Sequence, residues 1–378
     1  MLYRKFGKSN FMASALGMGC MRLPLEKGKD SAHIDEKAAI AMIHHAIDSG
    51  INYIDTAYPY HSGNSERVVG RALKGGYREK VKLATKLPIW LTHSSEDFDK
   101  LFDEQLKKMS VDRVDVYLLH ALDASSWKKA QQYGFLEKLD QAKKQGKLGF
   151  AGFSFHGTAE CFREIIDAYD WDMCQIQFNI IDEHIQAGVE GLRYAASKGV
   201  AVVVMEPLKG GSVITNAPAE ARKLMEQADI SRTPQDWALR WVADFEEVSV
   251  ILSGMSNMEQ LKDNIAIMNA APPHCLSESE RKTLERLKPI YQNAEMVGCT
   301  ACGYCMPCPS GVNIPEVFKL YNNTVYDSPR SFKKQFDAME SKGEGPSACI
   351  ACGKCEKLCP QHIPVIKTLK EVKKLFEI

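Results

Sequence analysis

Eight short apolar runs, each followed by a longer amphipathic stretch, fill the sequence from residue 15 to about 265. They are ALGMG (15–19), NYIDTA (52–57), VKLATKL (81–87), VDVYLLH (114–120), GFAGFSF (149–155), CQIQFN (174–179), VAVVVMEP (200–207) and VSVILSG (248–254). The stretches between them have helical periodicity. In DEKAAIAMIHHAIDSG (35–50), Ala38, Ile40, Ala41, Ile43 and Ile47 are predicted to share a face, and Gly50 suits a helix C-terminus. Eight strand–helix units in about 250 residues is the arithmetic of a closed barrel. An open doubly wound sheet is the rival, but no strand-to-helix turn carries the G-x-G-x-x-G phosphate loop it would use. The expected fold class is α/β, a (β/α)8 TIM barrel.

The chain has 378 residues, enough for such a barrel and a smaller second unit. Its 48 basic residues balance 48 acidic ones, so no polyanion-binding field is implied, and nucleic acid and anionic membrane are poor partners. No apolar run approaches the roughly 18 residues that span a bilayer. The N-terminus, MLYRKFGKSNFMASALGMGCMRLP, has a modestly apolar stretch interrupted by Ser14, Gly17 and Gly19 and followed by Arg22. It reads as the first strands of a cytoplasmic protein and not as a signal peptide.

Eight of the 12 cysteines lie in two groups after the barrel pattern ends. Cys299, Cys302, Cys305 and Cys308 follow C-x2-C-x2-C-x2-C-P; Cys349, Cys352, Cys355 and Cys359 follow C-x2-C-x2-C-x3-C-P. Two-residue spacing aims three thiolates at one cluster face, while the fourth, next to proline, reaches the other cluster in two-cluster ferredoxins. On that logic Cys299, Cys302, Cys305 and Cys359 hold one 4Fe-4S cluster, and Cys349, Cys352, Cys355 and Cys308 hold the second. Structural zinc is the alternative, but it has no use for three evenly spaced cysteines followed by Cys-Pro, twice over. Each group continues into Ile-Pro and a helical run, NIPEVFKLYN and HIPVIKTLKEVKKLF, with no strand signal between the groups. The expected domains are a barrel over 1–285 and a mostly α-helical ferredoxin-like domain over 286–378.

Polar residues end three neighbouring barrel strands. Asp55 ends the second, with Tyr60 in the loop beyond it; Lys86 ends the third and His120 the fourth. A tyrosine with an ordinary pKa of about 10 is a weak acid at neutral pH, and a nearby ammonium stabilises its phenolate. Asp55 would place Lys86, and His120 would orient a carbonyl oxygen beside Tyr60. The segments D-T-A-x-x-Y, A-T-K and D-x-Y-L-L-H resemble the aldo-keto reductase family. Asp55, Tyr60, Lys86 and His120 match its catalytic tetrad, and the likeness spans about residues 1–270. With the cysteine groups, the chain resembles the branch of that family that carries a C-terminal 4Fe-4S ferredoxin-type domain.

The resemblance implies a nicotinamide cofactor, NADP(H) or NAD(H), and hydride transfer to a small-molecule carbonyl substrate. It places Gly19, Met21, Ser154, Gln175, Met205, Pro207, Leu208, Gly254, Ser256, Gln260 and Asn264 at the cofactor. Phe155 stands where the family has Asn beside that serine, and Met205 stands where it stacks an aromatic ring. Lys262 is the candidate for a 2′-phosphate contact. Hydride carries two electrons, whereas a cluster accepts one, so an exchange between them requires a flavin or a substrate stable as a radical. No flavin motif is present. The expected activity is NAD(P)H-linked reduction of a carbonyl or related substrate, coupled to electron transfer through two 4Fe-4S clusters. A ferredoxin or another electron carrier is the expected external partner. Two alternatives stay open: a diaphorase-like electron-transfer protein, and a nucleotide-binding redox sensor with non-catalytic clusters.

Overall fold

The computed structural model describes residues 1–215, 217–325 and 328–377. The chain divides into two compact units, Met1–Pro207 with Asp236–Leu276, and Leu208–Gln235 with Ser277–Ile378.

The first unit opens with an antiparallel hairpin, β1 (Tyr3–Lys5) and β2 (Met12–Ser14). Eight strands follow: β3 (Leu16–Gly19), β4 (Tyr53–Asp55), β5 (Lys82–Leu87), β6 (Val114–Leu122), β7 (Leu148–Phe155), β8 (Met173–Gln177), β9 (Ala201–Met205) and β10 (Val248–Gly254). They close into a barrel in the order β10-β3-β4-β5-β6-β7-β8-β9, every neighbouring pair parallel. Each of the eight apolar runs supplies one of them. The helix Glu36–Asp48 forms where its periodicity predicts, capped by Asp35, whose side chain accepts from Ala38 N–H. Its buried stripe is Ala39, Met42, Ile43, Ala46 and Ile47, so Ala38, Ile40 and Ala41 do not belong to the inward face. The buried set keeps an i, i+3, i+4, i+7, i+8 spacing, which the expected set does not.

Alternation along the strands builds the barrel interior. Tyr53, Ala84, Val116, Leu118, Met173, Val203 and Leu252 form an apolar core. Phe6, from the turn between β1 and β2, plugs it, with its ring 5.9 Å from Tyr53 and 5.5 Å from Phe150. Gly7 permits that seat. Its φ is +55°, and a Cβ there would lie 2.6 Å from both Gly199 O and Ala201 N. Two residues further along each strand the chemistry changes. Tyr53 gives way to Asp55, Ala84 to Lys86, Leu118 to His120, Gly152 to Ser154 and Met173 to Gln175. One step of the pleat thus converts a packed core into a polar mouth at the strand C-termini.

In the second unit the helix Glu278–Asn293 begins with a capping box between Ser277 and Glu280. The segment before it in space is tied on by Arg232 to Glu280 (2.7 Å), Lys209 to Glu295 (2.8 Å) and the Tyr291 hydroxyl to Val213 O (2.8 Å). The helices Ile314–Asn323, Pro329–Ser341 and Val365–Phe376 then pack around Val312, Val317, Phe318, Leu369 and Val372. Phe336 and Phe376 stack at 4.5 Å. No helix among the described residues is long and apolar enough to cross a membrane.

Candidate active site and cysteine pocket

Lys86 is fully buried, and its ammonium has three neighbours. Asp55 Oδ1 lies at 2.6 Å, Thr56 O at 2.9 Å and the Tyr60 hydroxyl oxygen at 3.2 Å. An ammonium has three protons, and here each has an acceptor. Tyr60 accepts this hydrogen bond from Lys86. Burial pulls Lys86 below the ordinary lysine range, opposed by Asp55, while burial raises Asp55, opposed by Lys86. His120 is also buried, and its ring lies edge-on to Tyr60 at 6.2 Å and tilted against Trp90 at 5.1 Å. Burial, then the charges of Lys86 and His156, push His120 well below the usual histidine range. The four expected residues are therefore brought together.

Behind this group lies a second polar layer that motif reading missed. Thr85 points away from the barrel axis, as alternation with Lys86 requires. Its hydroxyl donates to Glu66 Oε1 at 2.7 Å, and Gln105 Nε2 donates to the same oxygen at 2.6 Å. Gln105 Nε2 also lies 3.0 Å from Lys86 O, and its Oε1 accepts from Tyr117 at 2.7 Å. Ser65, next to Glu66, bonds Thr56 Oγ1 and Cys20 O, both at 2.9 Å. The only sequence signal was two polar residues opening an amphipathic helix, Ser65–Ala72.

In the second unit, Cys299, Cys302, Cys305 and Cys359 line one pocket, walled by Ile314, Phe318 and Ile363. Three come from the first group and one from the second. Burial, with Cys302, Cys299 and Cys359 as neighbours, pushes the Cys305 thiol up to about 12. Four cysteines around one apolar-walled pocket are a donor set that suits an iron–sulfur cluster. Cys308 has a different surrounding. Burial would raise it, but the Ser310 hydroxyl at 3.3 Å and the backbone of Ser310, Val312 and Gly311 hold it below the usual thiol range. The repeat is also written in the backbone. Ala301 and Ala351, Gly303 and Gly353, and Gly311 and His362 all take left-handed conformations at matching offsets from their cysteines. Such turns direct successive N–H groups inward, toward an anionic group.

Residues 15–287 match the Aldo/keto reductase family and residues 298–363 match a 4Fe-4S dicluster domain. The chain belongs to the aldo/keto reductase family. This reductase is 27% identical over 320 residues to the uncharacterized oxidoreductase YqkF of Bacillus subtilis (75% of this chain, 95% of that protein). It is 27% identical over 313 residues to the NADH-specific methylglyoxal reductase of Escherichia coli (70% of this chain, 92% of that protein). The holo form of aldo-keto reductase AKR11C1 from Bacillus halodurans has the same fold, with a TM-score of 0.64 at 24% identity (76% of this chain, 96% of that one). The chain is thus an aldo-keto reductase-type oxidoreductase with a C-terminal 4Fe-4S domain.

Most of the residues that the resemblance assigns to the cofactor lie at C-terminal strand ends or in the turns after them, while Gln260 and Asn264 lie on the helix Met258–Asn269. Gly19 ends β3, and Met21 is in the turn Cys20–Arg22. The Ser154 hydroxyl accepts from Ala121 N–H at 2.8 Å, and Gln175 Nε2 lies 3.6 Å from Met205 Sδ. Gln175 Oε1 is buried without a hydrogen-bond partner. Phe155 is fully buried, 5.1 Å from Phe162, so it packs into the core and does not take the place of the missing Asn. Pro207 and Leu208 follow β9. Gly254 ends β10, with Arg22 covering it; a Cβ there would lie 3.3 Å from the Arg22 stem. Ser256 N–H donates to Gln260 Oε1 at 2.8 Å, and buried Asn264 donates to Ser253 at 3.0 Å.

Proposed function

We propose that this reductase carries out NAD(P)H-linked reduction of a carbonyl or related substrate at Tyr60, with two 4Fe-4S clusters exchanging electrons with that reaction or with an external carrier such as a ferredoxin. The observation that carries the reading is the saturated Lys86 ammonium. With its protons on Asp55, Thr56 O and the Tyr60 oxygen, the ammonium is placed to stabilise the phenolate form of Tyr60. As a carbonyl oxygen gains negative charge, Tyr60 gives it a proton, and Lys86 stabilises the phenolate left behind. Neutral His120 orients that oxygen. Asp55 holds Lys86 charged despite its burial.

A bound nicotinamide supplies the hydride. The unpartnered Gln175 Oε1 suits the N–H of its carboxamide, and Ser154 retains a proton for the carboxamide oxygen. Gly19, Met21 and Met205 line the ring, Pro207 and Leu208 the pyrophosphate, and Gly254, Ser256, Gln260 and Asn264 the adenosine end. NADP(H) follows from the family resemblance; NAD(H) has the precedent of the methylglyoxal reductase, named as NADH-specific.

For the clusters, the shared pocket supports Cys299, Cys302, Cys305 and Cys359 as one ligand set. Cys349, Cys352, Cys355 and Cys308 form the other. A barrel of 1–285 and a cluster domain of 286–378, in a cytoplasmic protein whose thiols stay reduced, complete the reading. Passing hydride electrons singly to the clusters requires a flavin or a substrate stable as a radical.

The test is Tyr60→Phe, assayed with NADPH or NADH and methylglyoxal as the probe carbonyl. Loss of the general acid lowers kcat by about 10²–10⁴-fold, with nucleotide affinity retained. Undiminished reduction by the Phe variant contradicts the assignment.

A further inference from the structure

The helix Ser65–Ala72 starts five residues after Tyr60 and carries Glu66, a fully buried carboxylate. Buried carboxylates are rare unless they are paired or hydrogen-bonded. Glu66 takes none of the Lys86 ammonium protons, which go to Asp55, Thr56 O and Tyr60. Instead, its Oε1 collects Thr85 and Gln105 at 2.7 and 2.6 Å, and Gln105 in turn reaches Lys86 O at 3.0 Å. Glu66 therefore joins three pieces: the helix that continues the Tyr60 loop, the strand that carries Lys86, and the helix Glu96–Met109 that carries Gln105. Thr85 and Lys86 are adjacent and point to opposite faces of β5, so Glu66 acts on the ammonium from behind the strand.

We infer that Glu66 is a positioning residue for the carbonyl reduction proposed above: it fixes the Lys86 backbone relative to the Tyr60 loop and adds a second negative charge that keeps the Lys86 ammonium protonated. The inference rests on that reading of Tyr60.

The charges around the two groups decide the sign. Lys86 faces Asp55, Tyr60, Cys20 and His120, and Glu66 is among the anions that oppose the effect of its burial. Glu66 faces Lys108 at 3.8 Å, which also pairs with Glu104 at 2.7 Å, and Glu66 acts on the buried Tyr117 hydroxyl. Burial raises Glu66, but Thr85, Gln105 and Lys108 all favour its charged form. The Thr85 and Gln105 donors on one oxygen and the Lys108 ammonium facing the other stabilise the carboxylate. With Glu66 ionised, Lys86 holds its proton to higher pH. Removing that charge lets the proton leave earlier as pH rises.

A residue that only fills the gap between helix and strand would affect stability and leave the pH profile alone. The experiment therefore compares kcat against pH for the holoenzyme and three variants, Tyr60→Phe, Glu66→Gln and Gln105→Leu, with NADPH or NADH and methylglyoxal. Glu66→Gln is expected to lower kcat about tenfold and to move the alkaline limb about one pH unit toward acid, with the carbonyl KM unchanged. Gln105→Leu keeps the charge and loses the tether, so kcat falls while the limb stays in place. A folded Glu66→Gln enzyme with the wild-type limb overturns the inference. Should Glu66→Gln not fold, Gln105→Leu decides: a fall in kcat at constant KM supports the tether, and wild-type kcat overturns it. Full activity in Tyr60→Phe overturns the underlying reading instead, so the two failures are distinct.

Discussion

A lysine held away from water is a costly way to place a positive charge, and here the charge is useful because it sits 3.2 Å from a phenol. His120 makes the complementary contribution. Burial and the nearby Lys86 and His156 disfavour its charged form, which suits the proposed role of binding an oxygen without competing as an acid. This gives kcat a one-sided pH dependence. In the proposed mechanism the rate has no acid limb near neutrality, because His120 lies well below the usual histidine range, and it falls as alkaline pH removes the Lys86 proton. An acid limb near neutrality, abolished by His120→Gln, would contradict this. Gln175 offers a test with opposite signs. Its unpartnered Oε1 disfavours the folded state without ligand and suits a carboxamide donor when ligand binds. Gln175→Leu should raise the apo melting temperature while weakening nicotinamide binding by about two- to tenfold, measured by calorimetry and cofactor titration. Equal effects of one sign would reject the role. At this scale the sequence was informative where chemistry ends a strand. Asp55, Lys86 and His120 could be read because strand ends converge in any such barrel. Glu66 and Gln105 could not, because their link exists only once two helices pack against one strand.

Secondary-structure elements carry the argument from composition to shape. Strand identity was fully legible because the eight apolar runs are short and separated by amphipathic stretches of a different period. The inward face of Glu36–Asp48 was not, because alanines dilute the contrast between its faces and the true stripe runs through Ala39 and Ala46. The plugging hairpin was legible only as first strands, since no local pattern says that Phe6 would enter the barrel. Its fit can be measured. Phe6 is almost fully buried in the apolar core beneath the polar mouth. Phe6→Ala should cost about 3–5 kcal/mol of unfolding free energy, read from denaturant midpoints, with Tyr60 chemistry otherwise preserved at low temperature. A loss under about 1 kcal/mol would mean that the hairpin lies loosely on the barrel floor.

The whole chain joins an aldo/keto reductase barrel to a 4Fe-4S dicluster domain. The two cysteine groups were legible because ligand spacing is local, and their left-handed turns repeat at matching positions. The compact units were less so. Leu208–Gln235 lies within the barrel sequence yet groups with the C-terminal residues, through contacts such as Lys209 to Glu295 that no motif announces. The proposed joint function asks whether electrons from nicotinamide reach the clusters. The most direct measurement is absorption and EPR of anaerobically purified protein, with iron, sulfide and flavin assays, before and after NADPH or NADH. Two four-iron clusters per chain are expected, with a reduced-cluster EPR signal after nucleotide when a flavin or a radical-stable substrate is present to split the electron pair. Colourless, iron-poor protein that holds zinc, or clusters that stay oxidised with nucleotide and such a flavin or substrate both present, would contradict the proposed joint function.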